Sequence, residues 1–216
     1  MRITSVNLAE LKTLNWKGKE MQTGIFKKPT KNPIHLGPHE VSGDTVSNRK
    51  VHGGIDKACY AYGENYYDYW KEKYPNLDWS WGMFGENLTL TDVDESQIFI
   101  GDIYAIGDVK VQVSGPRQPC TKFAAKFGSA NAIKEFVDFK HPGFYLRVIN
   151  QGEVKPGDEL ILEMRNEKAV SISDTYTLIF SRDQSKVNGL LDGAIYDPNL
   201  ALDTKNEIKR IWKVDA

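Results

Sequence analysis

The chain has 216 residues, a formal net charge of −1 and a pI near 6.4. Its 40% hydrophobic residues can bury a substantial core, so we expect one large domain with at most a small appendage, and little disorder. The charge balance excludes a polyanion-binding footprint, and no apolar run is long enough for a signal peptide or a membrane span. We therefore expect a cytoplasmic protein that binds neither nucleic acid nor a membrane.

Two cysteines, Cys59 and Cys120, limit the redox chemistry that the chain can carry alone. They are too few for a disulfide framework or for an iron–sulfur cluster held by four thiolates. The sequence also has neither of the glycine-rich motifs typical of dinucleotide binding and P-loop nucleotide binding. Any redox activity therefore needs another cofactor and a separate electron donor.

Alternation of apolar and polar residues predicts strands from the start of the chain to about Met164. The clearest strand candidates are residues 97–100, 109–113, 144–148 and 160–162. Gly-Asp pairs at 43–44, 101–102 and 157–158 predict turns that lead into strands. Many short strands separated by such turns are typical of a barrel or a sandwich, so the fold class is mainly β.

Three predicted helices interrupt the strands. The first spans 64–74 and has Tyr66, Tyr67, Trp70 and Tyr74 on one face, with Pro75 after it. The second begins near Cys120 and ends at Gly128, and the third spans 131–140.

After about Ser173 the alternation stops, and the pattern predicts a bundle of two or three helices. Thr204 and Glu207 have the spacing of a capping box. Residues 165–168 read as a linker, so we divide the chain into a barrel at 1–165 and a helical extension at 166–216. The core of the extension is too small for independent stability, which predicts docking on the barrel or on a partner.

Cys120 stands in the run SGPRQPCTKFAAKFG, at the predicted start of a helix. Pro119 restricts the backbone before it, and Arg117 and Lys122 are cationic neighbours. A helix N-terminus and nearby cations lower a thiol pKa, so we expect a thiolate that attacks an electrophile or binds a soft metal. Cys59 alternates with large side chains and is expected to pack in the core.

Two further runs indicate a functional site only in combination with this one. VHGGIDK places His52 and Lys57 on either side of two adjacent glycines, and GMFGENLT leads Asn87 from a glycine turn into a strand. Each run alone is explained by a turn with solvated ends.

The order VHGGxDKA, FGENL, SGPRxPC and GFYxRV resembles the MOSC family, the domains similar to the C-terminal part of molybdenum cofactor sulfurase. The helical tail is most similar to the stand-alone YiiM-type members. The resemblance implies a mixed β-barrel that binds the molybdenum cofactor (molybdopterin) through a cysteine matched by Cys120. It also implies reduction of N-hydroxylated compounds, such as hydroxylaminopurine-type base analogues and amidoximes, to amines.

Site residues follow from the resemblance position by position. Cys120 is the expected metal ligand, and His52 and Arg117 match residues that line the pocket. Lys57, Lys122 and Arg147 are offered as cations for the pterin phosphate, and Asn87 for pterin hydrogen bonds. His52 either transfers a proton or only holds a hydrogen bond.

The resemblance leaves two activities open. In the first, the protein is an oxidoreductase that takes electrons from a separate flavin or iron–sulfur reductase. In the second, it is a carrier that holds the molybdenum cofactor, or a persulfide sulfur on Cys120, for transfer to another enzyme. The oligomeric state is left open, a homodimer included.

Overall fold

An eight-stranded mixed sheet forms the centre of the computed structural model, which describes residues 1–47, 53–187 and 189–214. The strand order is β12-β8-β9-β10-β6-β7-β1-β4, and the sheet curls into a half-barrel. Neighbouring strands are antiparallel except for the parallel pair β6 and β7. Two small sheets, β5 with β11 and β2 with β3, complete the described strands. The predicted mixed β fold is confirmed.

The strands are β1 Ile3–Leu8, β2 Lys12–Trp16, β3 Lys19–Thr23, β4 Lys28–Thr30, β5 Ile34–Leu36, β6 Cys59–Gly63, β7 Leu88–Leu90, β8 Ile103–Ile106, β9 Val109–Pro116, β10 Phe144–Asn150, β11 Gly152–Val154 and β12 Ile161–Met164. The helices are α1 Tyr67–Lys73, α2 Thr121–Lys126, α3 Ala132–Phe139, α4 Ile172–Phe180, α5 Leu191–Ile195 and α6 Leu202–Trp212. Short 3-10 turns occupy Ile55–Lys57, Glu64–Tyr66 and Gln184–Lys186.

An aromatic cluster fills the space between the sheet and helices α1, α2 and α3. Trp70 of α1 is fully buried, and its ring centre lies 5.6 Å from that of Phe127 and 6.0 Å from that of Phe136. Phe123 of α2 packs 5.0 Å from Phe136 of α3. These contacts fix α2, the helix that follows Cys120.

The C-terminal helices share one hydrophobic core with the sheet. Ile172, Leu178 and Ile208 are completely buried in the same cluster as the strand residues Val111 and Val113. The Trp212 indole donates to the Leu178 carbonyl oxygen, which joins α6 to α4. The extension therefore docks on the sheet, as its small core predicted.

Three local predictions were wrong. Residues 97–100 form turns with one isolated bridge, Phe99 to Ser171, instead of a strand, because Asp102 accepts a hydrogen bond from the Phe99 amide and closes the turn. Residues 45–47, after Gly43-Asp44, are not in a strand. The capping box is also absent: α6 begins at Leu202, and no side chain caps it at Ala201, whose amide donates to Ser114 of β9.

Candidate functional site

Cys120 faces a cleft of about 100 Å³ on one side of the sheet. The same cleft is lined by four other residues that the sequence singled out: Lys57, Asn87, Arg117 and Lys122. The structure therefore brings together three sequence runs that are separated by up to about sixty residues of chain. No helix in the described part of the chain has the length and apolar character needed to span a membrane.

Cys120 is the residue immediately before α2. Its carbonyl oxygen accepts from the amides of Phe123 and Ala124, at 2.9 Å and 3.2 Å. The backbone of Cys120 is extended and the residue is partly exposed, in agreement with a thiol that faces the cleft. Cys59, in contrast, is 1% exposed, and burial raises the pKa of its thiol. The predicted difference between the two cysteines in location is confirmed.

Arg117 is a buried cation in the wall of this cleft. Its guanidinium lies over the rings of Phe123, Phe136 and Tyr60, at 5.0, 5.3 and 5.3 Å from the ring centres. The residue is 5% exposed, yet its Nη1 has no hydrogen-bond partner among the described residues. Burial lowers the pKa of Arg117, but Tyr60, Tyr145 and Cys120 raise it by more, so the net shift is upward.

A buried donor that lacks a partner has an energetic cost of about 1–3 kcal/mol, and more when it is charged. Most buried polar side-chain atoms in folded proteins have a hydrogen-bond partner, and an exception indicates a ligand, a water or a functional role. The free Nη1 of Arg117 is therefore the feature of this cleft that most directly indicates an anionic ligand.

The lysines of the cleft differ in how they are held. Lys57 pairs with Asp203 of α6, and its ammonium lies 5.7 Å from the centre of the Tyr145 ring. Lys122 donates to the Ser47 hydroxyl at 2.5 Å. Among the described residues, no carboxylate pairs with Arg117 or Lys122, so these two cations give the cleft its positive character.

Asn87 lies in the cleft wall, but its side chain is engaged with the protein. Its amide nitrogen donates to Asp44 at 2.9 Å and to the Asn7 carbonyl at 3.3 Å. Its amide oxygen accepts from the Tyr60 backbone at 3.3 Å. The expected pterin hydrogen bonds from Asn87 would compete with these contacts, so its geometry favours a supporting role.

Arg147 is not among the residues that line the cleft. Its guanidinium donates to Asp56 at 2.6 Å, to Gln112 at 3.0 Å and to the Asn199 carbonyl at 2.7 Å. These bonds tie the 3-10 turn to β9 and to the C-terminal segment. The geometry gives no support to a cofactor contact by Arg147. His52 lies outside the described residues.

Sequence reasoning missed one wall of the cleft, which comes from the N-terminal part of the chain. Lys27 and Asp44 form an ion pair there, and their side chains are 6% and 4% exposed. Lys27 lies in no motif, and the Gly43-Asp44 pair predicted only a turn, since the ion pair depends on two loops that meet only in the fold. Tyr60 and Tyr145 were also missed, although Tyr145 lies in the quoted run GFYxRV and Tyr60 is adjacent to Cys59. Burial raises the pKa of Tyr145 to about 12, and Arg117 opposes that shift.

The residues of the cleft fit an anionic cofactor that contains a metal. Cys120 supplies one soft ligand, which is suited to molybdenum already bonded to sulfur. Arg117 offers a buried donor without a partner, and Lys122 and Lys57 offer further cations. Phosphate binding in proteins relies on this kind of donor set.

The chain belongs to the MOSC domain family, whose model matches residues 48–161. Two of its curated relatives are YflK of Bacillus subtilis, with 39% identity over 79% of this chain and 76% of YflK, and a protein named Reductase from Gibberella moniliformis. The second is 32% identical over 78% of this chain, which spans only 30% of that protein.

A solved structure with the same arrangement is YiiM from Geobacillus stearothermophilus. It has a TM-score of 0.77 and 30% identity, and the match covers 97% of this chain and 98% of YiiM. The predicted family and the YiiM-type architecture are both confirmed.

Proposed function

We propose that this protein binds the molybdenum cofactor in the Cys120 cleft and reduces N-hydroxylated compounds to amines. The observation that carries the proposal is the buried Arg117 guanidinium, which has a free donor beside a soft thiol ligand. Membership of the MOSC family supports the cofactor, since that family binds it in general. The relative named Reductase supports a reductive activity.

Each cleft residue has a distinct role in this proposal. Cys120 binds the metal as a thiolate, while Arg117 and Lys122 hold the phosphate of the pterin. Tyr60 and Tyr145 form an aromatic wall that keeps Arg117 in place and excludes water from one side. The Asp44–Lys27 ion pair fixes another part of the cleft wall.

The cofactor, when bound, supplies a two-electron redox centre. The overall reaction converts R–NHOH, two electrons and two protons into R–NH₂ and water, so the N–O bond breaks and the nitrogen is reduced. The protein contributes ligation, orientation and control of water access. Two cysteines and no nucleotide motif give the chain no electron source of its own, so the electrons come from a separate flavin or iron–sulfur reductase.

Reduced viologen dye tests the activity without that partner. We expect protein made in a host that synthesises the cofactor to reduce an amidoxime or 6-hydroxylaminopurine, and to oxidise the dye in proportion. Cys120→Ser should abolish turnover, while Cys59→Ser, the matched control, should retain it. Bound cofactor without turnover of either substrate would contradict the enzyme and favour a cofactor carrier.

A further inference from the structure

The last helix of the chain is in contact with two segments that carry cleft residues. Asp203 and Glu207 stand one turn apart on α6, and each accepts from a residue of another segment. Asp203 accepts from the Lys57 ammonium, and Glu207 accepts from the Gln118 side-chain amide at 2.6 Å. Lys57 lines the cleft, and Gln118 lies between the cleft residues Arg117 and Cys120.

Further bonds fix α6 and the segment before it relative to the sheet. The Ala201 amide donates to the Ser114 carbonyl at 2.9 Å, and the Ser114 hydroxyl donates to the Asp56 carbonyl at 2.5 Å. At the other end, Ile208 is fully buried and Trp212 bonds to α4. Contacts at both ends of the helix therefore fix its position independently of its bonds to Lys57 and Gln118.

We infer that α6 is a brace of the cofactor cleft, with Asp203 and Glu207 as positioning residues. Asp203 holds the 3-10 turn that carries Lys57, and Glu207 holds the loop that carries Arg117 and Cys120. The brace fixes the distance between the Lys57 ammonium and the metal-binding thiol of Cys120 before the ligand arrives. A preformed site does not lose this ordering entropy on binding. As a statement about cofactor binding, the inference rests on the proposed function.

The brace predicts weaker cofactor binding when Asp203 and Glu207 are removed, whereas charge alone predicts tighter binding. The inference is testable because the two effects have opposite signs. Removing two carboxylates next to an anion-binding cleft raises its positive potential and favours an anionic ligand. Because Asp203 is 58% exposed, solvent screens much of that effect. Loss of the two bonds removes one restraint from a lysine and one from a glutamine side chain, both of which have large rotamer entropy. We expect the loss of order to dominate.

The experiment compares the full-length protein with an Asp203→Ala, Glu207→Ala double variant. In cofactor-free protein, hydrogen exchange of peptides covering 54–60 and 117–122 should accelerate by about tenfold, the effect of losing on the order of one charged hydrogen bond. In protein from a cofactor-producing host, molybdenum and pterin content should fall by about fivefold or more at equal protein concentration. A Glu167→Ala, Asp192→Ala variant removes the same charge from exposed sites and should change neither result.

If the double variant folds poorly, two single variants of Glu207 test the hydrogen bond from Gln118 by itself. Glu207→Gln keeps an acceptor oxygen for Gln118 and should leave exchange at 117–122 close to that of the natural protein, while Glu207→Ala should accelerate it. Unchanged exchange in the alanine variants overturns the brace, and so does faster exchange with full cofactor content. A natural protein without molybdenum refutes the proposed function instead, and the exchange data then still decide whether the brace exists.

Discussion

The guanidinium carbon of Arg117 lies 5.3 Å from the centre of the Tyr60 ring, and this contact holds a buried cation in the wall of the Cys120 cleft. Tyr60 is itself fixed, because its hydroxyl donates to the Pro142 carbonyl at 2.7 Å. An arginine stacked on aromatic rings retains its charge while it is shielded from water. It is therefore oriented to bind an anion at its remaining donor.

Arg117→Met should remove cofactor binding but not the fold. A charge-assisted hydrogen bond contributes about 1.5–3 kcal/mol, so we expect cofactor content to fall by about tenfold or more. Methionine fills similar space and eliminates an unpaired buried donor, so the melting temperature of cofactor-free protein should stay level or rise. Arg182→Met is the control, since Arg182 is exposed and lies outside the cleft. Equal cofactor content in the two variants would refute the role of Arg117.

Breaking the Lys27–Asp44 pair should destabilise the protein. Asp44 also accepts from the Ala9 amide and from Asn87, so its carboxylate organises several chain segments. Removing one partner of a buried ion pair leaves the other charge uncompensated, at about 3–5 kcal/mol. We expect Asp44→Ala to lower the free energy of unfolding in urea by about that amount, and Lys27→Met combined with it to recover part of the loss. No recovery in the double variant would mean that the ion pair is not the cause.

The stability of the protein should depend on pH through Lys126. Burial lowers the pKa of this lysine to about 7, while its ammonium donates to the Ile25 and Gly82 carbonyls at 2.9 Å. Between pH 7 and about 10 the unfolded chain then binds more protons at this site than the folded chain does, so stability rises with pH. The free energy of unfolding should rise with pH relative to that of Lys126→Met, and should show no such trend below pH 7. A flat difference from pH 7 to 9.5 would contradict the shift.

The two cysteines should differ in chemical access. In the native cofactor-free protein, iodoacetamide should modify Cys120, which is partly exposed, and leave Cys59, which is 1% exposed. Peptide mass spectrometry gives the extent of modification at each site, and both should react once the protein is unfolded in urea. Bound cofactor should protect Cys120. Faster modification of Cys59 than of Cys120 in the native state would contradict the placement of the thiols.

Gly24 should be required for the wall formed by residues 44–47. A Cβ built at this position would lie 1.8 Å from the Thr45 backbone oxygen, so the two loops must separate to admit it. Gly24→Ala should lower stability by about 1–3 kcal/mol, as for other overpacked sites, and reduce cofactor content. Gly115→Ala is the control, because its nearest contact would be an ordinary 3.7 Å. A neutral effect of Gly24→Ala would show that the loops separate easily.

Sequence patterns predicted the parts of this protein that local chemistry determines. Alternation over 109–113 and 144–148 identified the central strands β9 and β10, and proline with flanking cations identified the start of α2 at Cys120. Residues 97–100 look like a strand because their side chains alternate, but a hydrogen bond to Asp102 closes them into turns. Local alternation cannot detect that bond.

The parts that were missed depend on contacts distant in the chain. Glu207 has the spacing of a capping residue, yet its carboxylate accepts from Gln118, 89 positions away. Arg147 looks like a phosphate ligand by position, but Asp56 and Asn199 bind its guanidinium. Lys27 lies in no motif, and Asp44 was marked only as part of a Gly-Asp turn. Charged residues reveal their partners only when the fold brings the segments together.

Metal analysis of the purified protein tests the central claim most directly. The natural chain and Cys59→Ser, made in a host that synthesises the cofactor, should contain molybdenum close to stoichiometric with protein and release a pterin on denaturation. Cys120→Ser, folded and equally stable, should contain little of either. A natural chain without molybdenum, or a Cys120→Ser variant that retains it in full, would contradict the assignment of Cys120 as the metal-binding residue of this cleft.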